Sequence, residues 1–558
     1  MDRPYRPIIL TDTELAHANP LLVSEPRDLM TESPVRPFGG LSVWAPTGTE
    51  AAAFDRRVID DGSVPQAALM ECAGRSAAQV VDRLYPDGHV VAVVGAGNNG
   101  GDALVLLRTL QSWGRSVAAV YVAERPSPEV LFHGWEVTRA SDGWDSESPD
   151  ARQLEVSLAD ADVIVDGILG TGIKGPPRPR QALAIECVNR AGKPVVALDT
   201  PSGVDADTGQ VPSESVVAQV TIALGWPKLG TLLQPGRASG GRLVAVEIGF
   251  PPVDEEGFGA MVVTPSWVSA RRPQREPHAH KNQVGALLLV AGKSGMAGAA
   301  VMAGRAALRA GVGLLRVVSA AENREIIQTS IPEAVFIPED DPVAVREAAC
   351  ASNAVAAGPG LGQAPRANAL LELVLDASAG IPAVLDADAL NLAASGSGPA
   401  LQQWSEGRDV LITPHIGEMR NLSGQTAEAI AADRITAART LSEESGASVL
   451  LKGLPSVVAH GGGPCWVDAT GSSDLAAGGM GDVLTGVAGG YLAQGVTSDV
   501  AGALALYVTG RAAACAGKGA SLTPSDVIET LPRVMDEQGP GRSDLDLPFV
   551  LFDQDAAR

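Results

Sequence analysis

Val90-Val-Ala-Val-Val-Gly-Ala-Gly-Asn-Asn-Gly-Gly-Asp102 decides the fold. Five consecutive apolar residues, four of them valines, are the length and composition of a strand buried on both faces. A glycine-rich turn follows at once, and the spacing then predicts a helix over Ala103–Ser112. Further strands are expected at Val117–Val122, Val163–Asp166 and Val195–Asp199, each running into polar or glycine-rich residues. Strands alternating with helices imply a parallel sheet covered on both faces. Gly95, Gly97 and Gly100 fit GxGxxG, in which backbone amides at a helix start receive phosphate. Glu124, after the next strand, could serve as a ribose-binding acid. A dinucleotide dehydrogenase and a ligand-free turn both remain open on this pattern alone. Asn98-Asn99 and Gly101-Asp102 argue against both, placing amide and carboxylate groups where a Rossmann turn favours small residues.

Two other strand ends carry related chemistry, Asp166-Gly-Ile-Leu-Gly-Thr-Gly-Ile-Lys-Gly-Pro176 and Asp199-Thr-Pro-Ser-Gly-Val-Asp205. Ligands of open parallel sheets gather at the carboxyl ends of strands, so three such loops can share one crevice. Amide oxygen, carboxylate and hydroxyl are hard donors, suited to an alkali or alkaline-earth cation. Asp166 alone could equally be a turn or capping aspartate.

With Leu69-Met-Glu-Cys-Ala-Gly74 added, these blocks resemble the NAD(P)H-hydrate epimerase family over roughly residues 49–260. The resemblance implies that Asn99, Asp166 and Ser202 hold potassium. It implies that Asn98, Asn99, Gly100, Gly101 and Asp102, together with Gly170, Thr171, Gly172, Ile173, Lys174, Gly175 and Pro176, line the pocket for the hydrated dinucleotide. Asp199 would contact that substrate and act as acid and base. Ala103 departs from the family's usual glycine. Inverting the hydrated ring carbon requires the hydroxyl to leave and water to return on the other face, for which a positioned carboxylate suffices.

Past a proline-bearing stretch, Thr264–His280, the β/α rhythm restarts. Strands are expected at Ala286–Ala291, Leu314–Val318, Ala354–Ala357, Ala383–Asp386, Val410–Thr413 and Val449–Lys452. Gly478-Gly-Met-Gly-Asp-Val-Leu-Thr-Gly486 opens an apolar helix whose amides can receive a transferring phosphoryl group, with Asp482 placed to accept a hydroxyl proton. Lys452-Gly-Leu-Pro-Ser456 supplies a cation and a turn, and there is no GxxxxGK[ST]. As a bare helix-start carboxylate, Asp482 would merely complement the macrodipole.

These features resemble the ribokinase-like superfamily. His280-Lys281, Gly295-Met-Ala-Gly-Ala-Ala300, Gly358-Pro-Gly-Leu-Gly362, Asp386-Ala-Asp-Ala-Leu-Asn391 and Thr413-Pro-His-Ile-Gly-Glu418 narrow it to the ADP/ATP-dependent NAD(P)H-hydrate dehydratases, over about residues 265–535. The resemblance implies substrate contacts from Ala299 or Ala300, Gly360 or Gly362, and His415. It implies nucleotide contacts from Lys452, Gly453, Leu454, Pro455, Ser456 and Gly481, with Asp482 as base and magnesium arriving with ADP or ATP. The ring hydroxyl would be phosphorylated and phosphate then eliminated.

The expected fold is α/β: two three-layer α/β/α domains, a Rossmann-like epimerase domain followed by a ribokinase-like one. The expected division is an extension over 1–45, domains over 46–262 and 263–540, and a tail over 541–558. A ribokinase-type small-molecule kinase fused to an epimerase-like module is the alternative, and a first domain reduced to binding is a third reading. The chain has 558 residues and 42 Lys+Arg against 65 Asp+Glu, a net charge of −23. That balance excludes nucleic-acid binding by bulk charge. Five scattered cysteines without a CxxC pair fit a reducing cytoplasm. No signal peptide or spanning segment is expected, so no membrane partner. Hydrated NADH or NADPH and an adenine nucleotide are the implied partners, and both families imply a homo-oligomer.

Overall fold

The computed structural model describes residues 43–125, 151–172, 174–253, 257–278, 284–537 and 543–555. The Val90–Val94 strand lies inside a seven-stranded sheet. From one edge its strands are Val550–Gln554, Arg242–Val246, Val220–Leu224, Val195–Leu198, Val163–Gly167, Val90–Val94 and Val117–Tyr121. All pairs are parallel except that of Val550–Gln554 with Arg242–Val246. Val90, Ala92 and Val94 pack into one core while Val91 and Val93 pack into another, so both faces are covered. That double burial is why these strands read as unbroken apolar runs.

The second sheet has eleven strands. Val335–Pro338, Leu314–Ser319, Ala286–Val290, Ala354–Ala357, Ala383–Leu385, Val410–Ile412 and Ser448–Leu451 run parallel in that order. Ser456–Ala459 and Cys465–Asp468 continue it antiparallel, followed by Ala260–Val262 and Val43–Trp44. Leu287 and Leu289 face one core, Leu288 and Val290 the other, again giving three layers.

Several expectations need correction. The helix after Val90–Val94 spans Asn98–Ser112, not Ala103–Ser112, with Gly97 as its N-cap, so Asn98–Asp102 form its first turns. The glycines and asparagines masked the start because they are weak helix formers. Within Thr264–His280, Pro265–Arg271 is a helix capped by the Thr264 side chain, and Trp267 on it is fully buried. Thr followed by Pro at the first position is a helix start signal. Val43–Trp44, at the end of the expected extension, pairs with Ala260–Val262.

The segment without an expected role after Gly539 supplies the Val550–Gln554 edge strand. Arg242 grips it, Nε donating to Asp553 Oδ1 at 2.8 Å and Nη2 to Oδ2 at 2.6 Å. The chain therefore crosses between the two sheets three times, after Trp44, after Val246 and after Asp536. One continuous apolar core joins Ala223, Leu243, Ala245 and Phe552 of the first sheet to Val262, Val457 and Val467 of the second.

Candidate active sites

The first crevice lies where the sheet order reverses. Val90–Val94 is flanked by the next strand, Val117–Tyr121, on one side and by Val163–Gly167 on the other, the arrangement that opens a cleft at the carboxyl ends. Asp166 is fully buried. Its Oδ1 accepts from Ser202 Oγ at 2.6 Å and Ile168 N at 3.1 Å, and its Oδ2 from Ser202 N at 2.8 Å. Burial pushes its carboxyl up to about 6, the hydrogen bonds from Ser202 working against that. Asn99 Nδ2 donates to Leu169 O at 2.6 Å and Leu198 O at 3.1 Å, while its buried Oδ1 has no hydrogen-bond partner. Asn99, Asp166 and Ser202 are thus brought together.

Asp199 sits at φ 63, a left-handed conformation that costs a non-glycine residue about 1–3 kcal/mol. The reward is a fixed carboxylate: Oδ1 accepts from Lys228 Nζ and from Leu224 N at 3.2 Å. Lys228 is itself buried and also donates to Leu224 O and Trp226 O, so all three of its donors are engaged. Asp102 faces the same space, and burial first, then the Asp199 and Asp55 charges, hold its carboxyl well above the usual range. Asp55, on the Gly48–Asp60 helix, is pushed up to about 6 by burial, with Lys228 opposing and Asp199 adding.

The other expected residues divide. Gly100 and Gly101 pack tightly, a Cβ on Gly100 lying 2.2 Å from Gly95 O and one on Gly101 2.6 Å from Met70 Cε. Asn98 is exposed and accepts from Gln66 Nε2 at 3.2 Å. Gly170 packs on Asn99, whereas Thr171, Gly172, Gly175 and Pro176 are exposed or half-buried. Lys174 turns to the surface and pairs with Asp207, which also accepts from Thr49. Ile173 lies outside the described residues. Glu124 is exposed, and its neighbour Arg125 instead donates to Gly95 O at 2.8 Å and Gly97 O at 2.6 Å.

The second crevice gathers the carboxyl ends of four adjacent strands. Asp386 follows Ala383–Leu385, His415 follows Val410–Ile412, Lys452 follows Ser448–Leu451, and Gly358–Gly362 follows Ala354–Ala357. Asp386 Oδ1 accepts from Lys452 Nζ at 2.7 Å and Oδ2 from Thr485 Oγ1 at 2.7 Å. Burial pushes the Asp386 carboxyl up, yet Lys452 and Thr485 outweigh it and hold the group below the usual range. Burial opposes the Lys452 charge, but Asp386, Glu418 and Asp482 raise it above the ordinary lysine value. Asp482, in the first turn of the Met480–Ala493 helix, is pushed up to about 7 by burial and then by the Asp386 charge, against Lys452. A Cβ on Gly481 would stand 3.5 Å from Lys452 Nζ and 3.6 Å from Asp386 Oδ2.

His415 caps its helix, Nδ1 accepting from Gly417 N at 2.9 Å and Glu418 N at 3.2 Å, and stays exposed. Ala299 faces Gly360, Ala300 is sunk in the core, and Gly362 N donates to Asp388 Oδ2 at 2.7 Å beneath Lys293. Within Lys452–Ser456, Gly453 N donates to Ser456 Oγ at 3.1 Å, while Leu454 is exposed before Pro455. His280 and Lys281 lie outside the described residues. Sequence reasoning assigned no role to Asp55 or Lys228 in the first crevice, or to Asp386, Glu418 and Arg434 in the second. Asp386 and Glu418 stood inside quoted motifs; Asp55 and Arg434 gave no local signal, since lone charges on helices usually face solvent.

Both crevices therefore hold an Asp–Lys pair beside a second carboxyl whose proton affinity burial raises. Residues 66–230 match the family model described as YjeF-related protein N-terminus, and 287–533 the one described as NAD(P)H-hydrate dehydratase. The bifunctional NAD(P)H-hydrate repair enzyme Nnr of Moorella thermoacetica is 34% identical, covering 88% of this chain and 96% of its own. This chain belongs to the bifunctional NAD(P)H-hydrate repair enzymes. The Salinibacter ruber member is 35% identical, again over 88% and 96%. The ADP/ATP-dependent NAD(P)H-hydrate dehydratase structure from Bacillus subtilis, at 31% identity, covers 49% of this chain and 98% of that one with TM-score 0.42. The repair enzyme combines an NAD(P)H-hydrate epimerase with an NAD(P)H-hydrate dehydratase. Among the described residues no helix is long and apolar enough to cross a membrane.

Proposed function

We propose that the first crevice epimerises hydrated NADH or NADPH and that the second dehydrates the S epimer at the expense of ADP or ATP. The observation that carries this is the pairing, in each crevice, of an ion-paired aspartate with a carboxyl of raised proton affinity. In the first, Asp102 gives its proton to the ring hydroxyl, which departs as water, and a second water returns to the opposite face. Lys228 holds the Asp199 carboxylate in place, so Asp199 can take a proton from the incoming water. Asn99, Asp166 and Ser202 would hold potassium; the unpartnered, buried Asn99 Oδ1 fits a cation ligand. That ion would supply fixed positive charge for pocket loops and phosphate.

In the second, Asp482 takes the proton of the ring hydroxyl as its oxygen attacks the terminal phosphorus, and AMP or ADP leaves. The C–O bond then breaks, phosphate departs with a ring proton lost, and NADH or NADPH is restored. Lys452 and the amides around Gly481 face the phosphate charge, and magnesium would neutralise it further. Ala299, on the Ala297–Arg309 helix, packs against Gly360 after Ala354–Ala357, and His415 follows Val410–Ile412 two strands away, which supports contacts of all three with the hydrate. We assign the reaction to the cytoplasm on the five free cysteines, and expect a homo-oligomer, which sedimentation would check.

The deciding assay supplies mixed hydrated NADH epimers and ADP or ATP. NADH absorbance should return with stoichiometric phosphate release. Accumulation of a phosphorylated ring without NADH would instead establish a small-molecule kinase. Replacing potassium by lithium should slow only the epimerase.

A further inference from the structure

Arg434 is 8% exposed and opens the Arg434–Ser445 helix, which Asp433 caps. Among the described residues no carboxylate is ion-paired with it, and burial brings the guanidinium down to about 10. Its Nη2 donates to Lys452 O at 2.8 Å and Leu451 O at 3.4 Å, and its buried Nε has no partner. The guanidinium also fills the volume a side chain at 453 would take. A Cβ on Gly453 would lie 2.1 Å from Nη2 and 2.6 Å from Cζ. A buried, uncompensated cation is costly to a fold, so its retention under this loop asks for a purpose.

We propose that Arg434 is a positioning residue for the nucleotide, clamping the Lys452–Gly453 backbone so that the Lys452–Ser456 loop is preformed for the phosphates. The inference rests on the reading of that loop as the nucleotide site. It follows that loop order, and hence nucleotide affinity, depends on a fork of donors that only arginine provides. Lysine would keep the charge but offer one point donor.

The test uses the full chain with ADP and magnesium. Arg434→Met should raise the KM for ADP by about tenfold, the loss of charged hydrogen bonds to a loop. Its kcat, its KM for the hydrate and the epimerase rate should change by less than about threefold. Arg434→Lys should fall between. An unchanged KM for ADP in Arg434→Met, or a loss shared equally by kcat and hydrate KM, overturns the proposal. If Arg434→Met loses the cooperative unfolding transition of the chain, Arg434→Lys decides by the same KM-selective criterion. Leu454→Glu, at an exposed position of the same loop, separates the two readings. Should it leave the KM for ADP untouched, the nucleotide-site reading itself fails.

Discussion

Asp482 and Asp199 are both aspartates at carboxyl-end clefts, but Asp199 is ion-paired with a buried lysine whereas Asp482 is crowded by burial and by the Asp386 charge. With Asp482 held near 7, the ionised base forms only as pH climbs, so kcat/KM of dehydration should rise through about pH 7 and level off above it. The same shift means the folded chain binds that proton more tightly. Stability of the chain should therefore fall from about pH 4 to about pH 7, and Asp482→Asn should lessen that slope in its unfolding curves while abolishing NADH regeneration. Lys228→Met strands the Asp199 carboxylate without its buried partner. Epimerisation should fall at least about tenfold, since breaking a buried pair typically costs about 3–5 kcal/mol, with dehydration of purified S hydrate unaffected. Asp199→Asn should let regeneration stop once the S epimer is consumed; full conversion, with spontaneous epimerisation controlled, would remove Asp199 from the mechanism.

At the scale of elements, the start of the Asn98–Ser112 helix is held by close backbone approach. Gly100→Ala would drive a methyl to 2.2 Å from Gly95 O, an overpacking that should cost the first unit about 1–3 kcal/mol, seen as a lower midpoint in its urea transition. The strands bearing the sites were legible because burial on both faces writes them as apolar runs, Val90–Val94 and Ala286–Val290 above all. Cys465–Asp468 and Val43–Trp44 were not, being short and held in place by distant partners. The loops that carry Asn99, Asp166 and Ser202 could be grouped because each follows a readable strand, whereas the choice of these three as potassium ligands came from the family resemblance. The Asp199–Lys228 and Asp386–Lys452 pairs could not, since nothing local to either aspartate names the lysine that answers it.

For the molecule as a whole, scarce positive charge is spent inside. Lys228 and Lys452, two of seven lysines, are drawn into the two crevices against a net charge of −23. The Val550–Gln554 strand closes the first sheet from the far end of the chain, and Phe552 on it is buried in the shared core. Phe552→Ala should lower stability by about 3–5 kcal/mol, and ending the chain at residue 542 should reduce epimerase activity although every epimerase candidate precedes it. The three crossings have a further outcome. A protease site placed in the exposed Gln274–His278 stretch and cut should yield two polypeptides that elute as one particle on size exclusion. The first fragment carries two strands of the second sheet and the second fragment one strand of the first, so cleavage severs the covalent link and leaves a two-chain heterodimer with both activities.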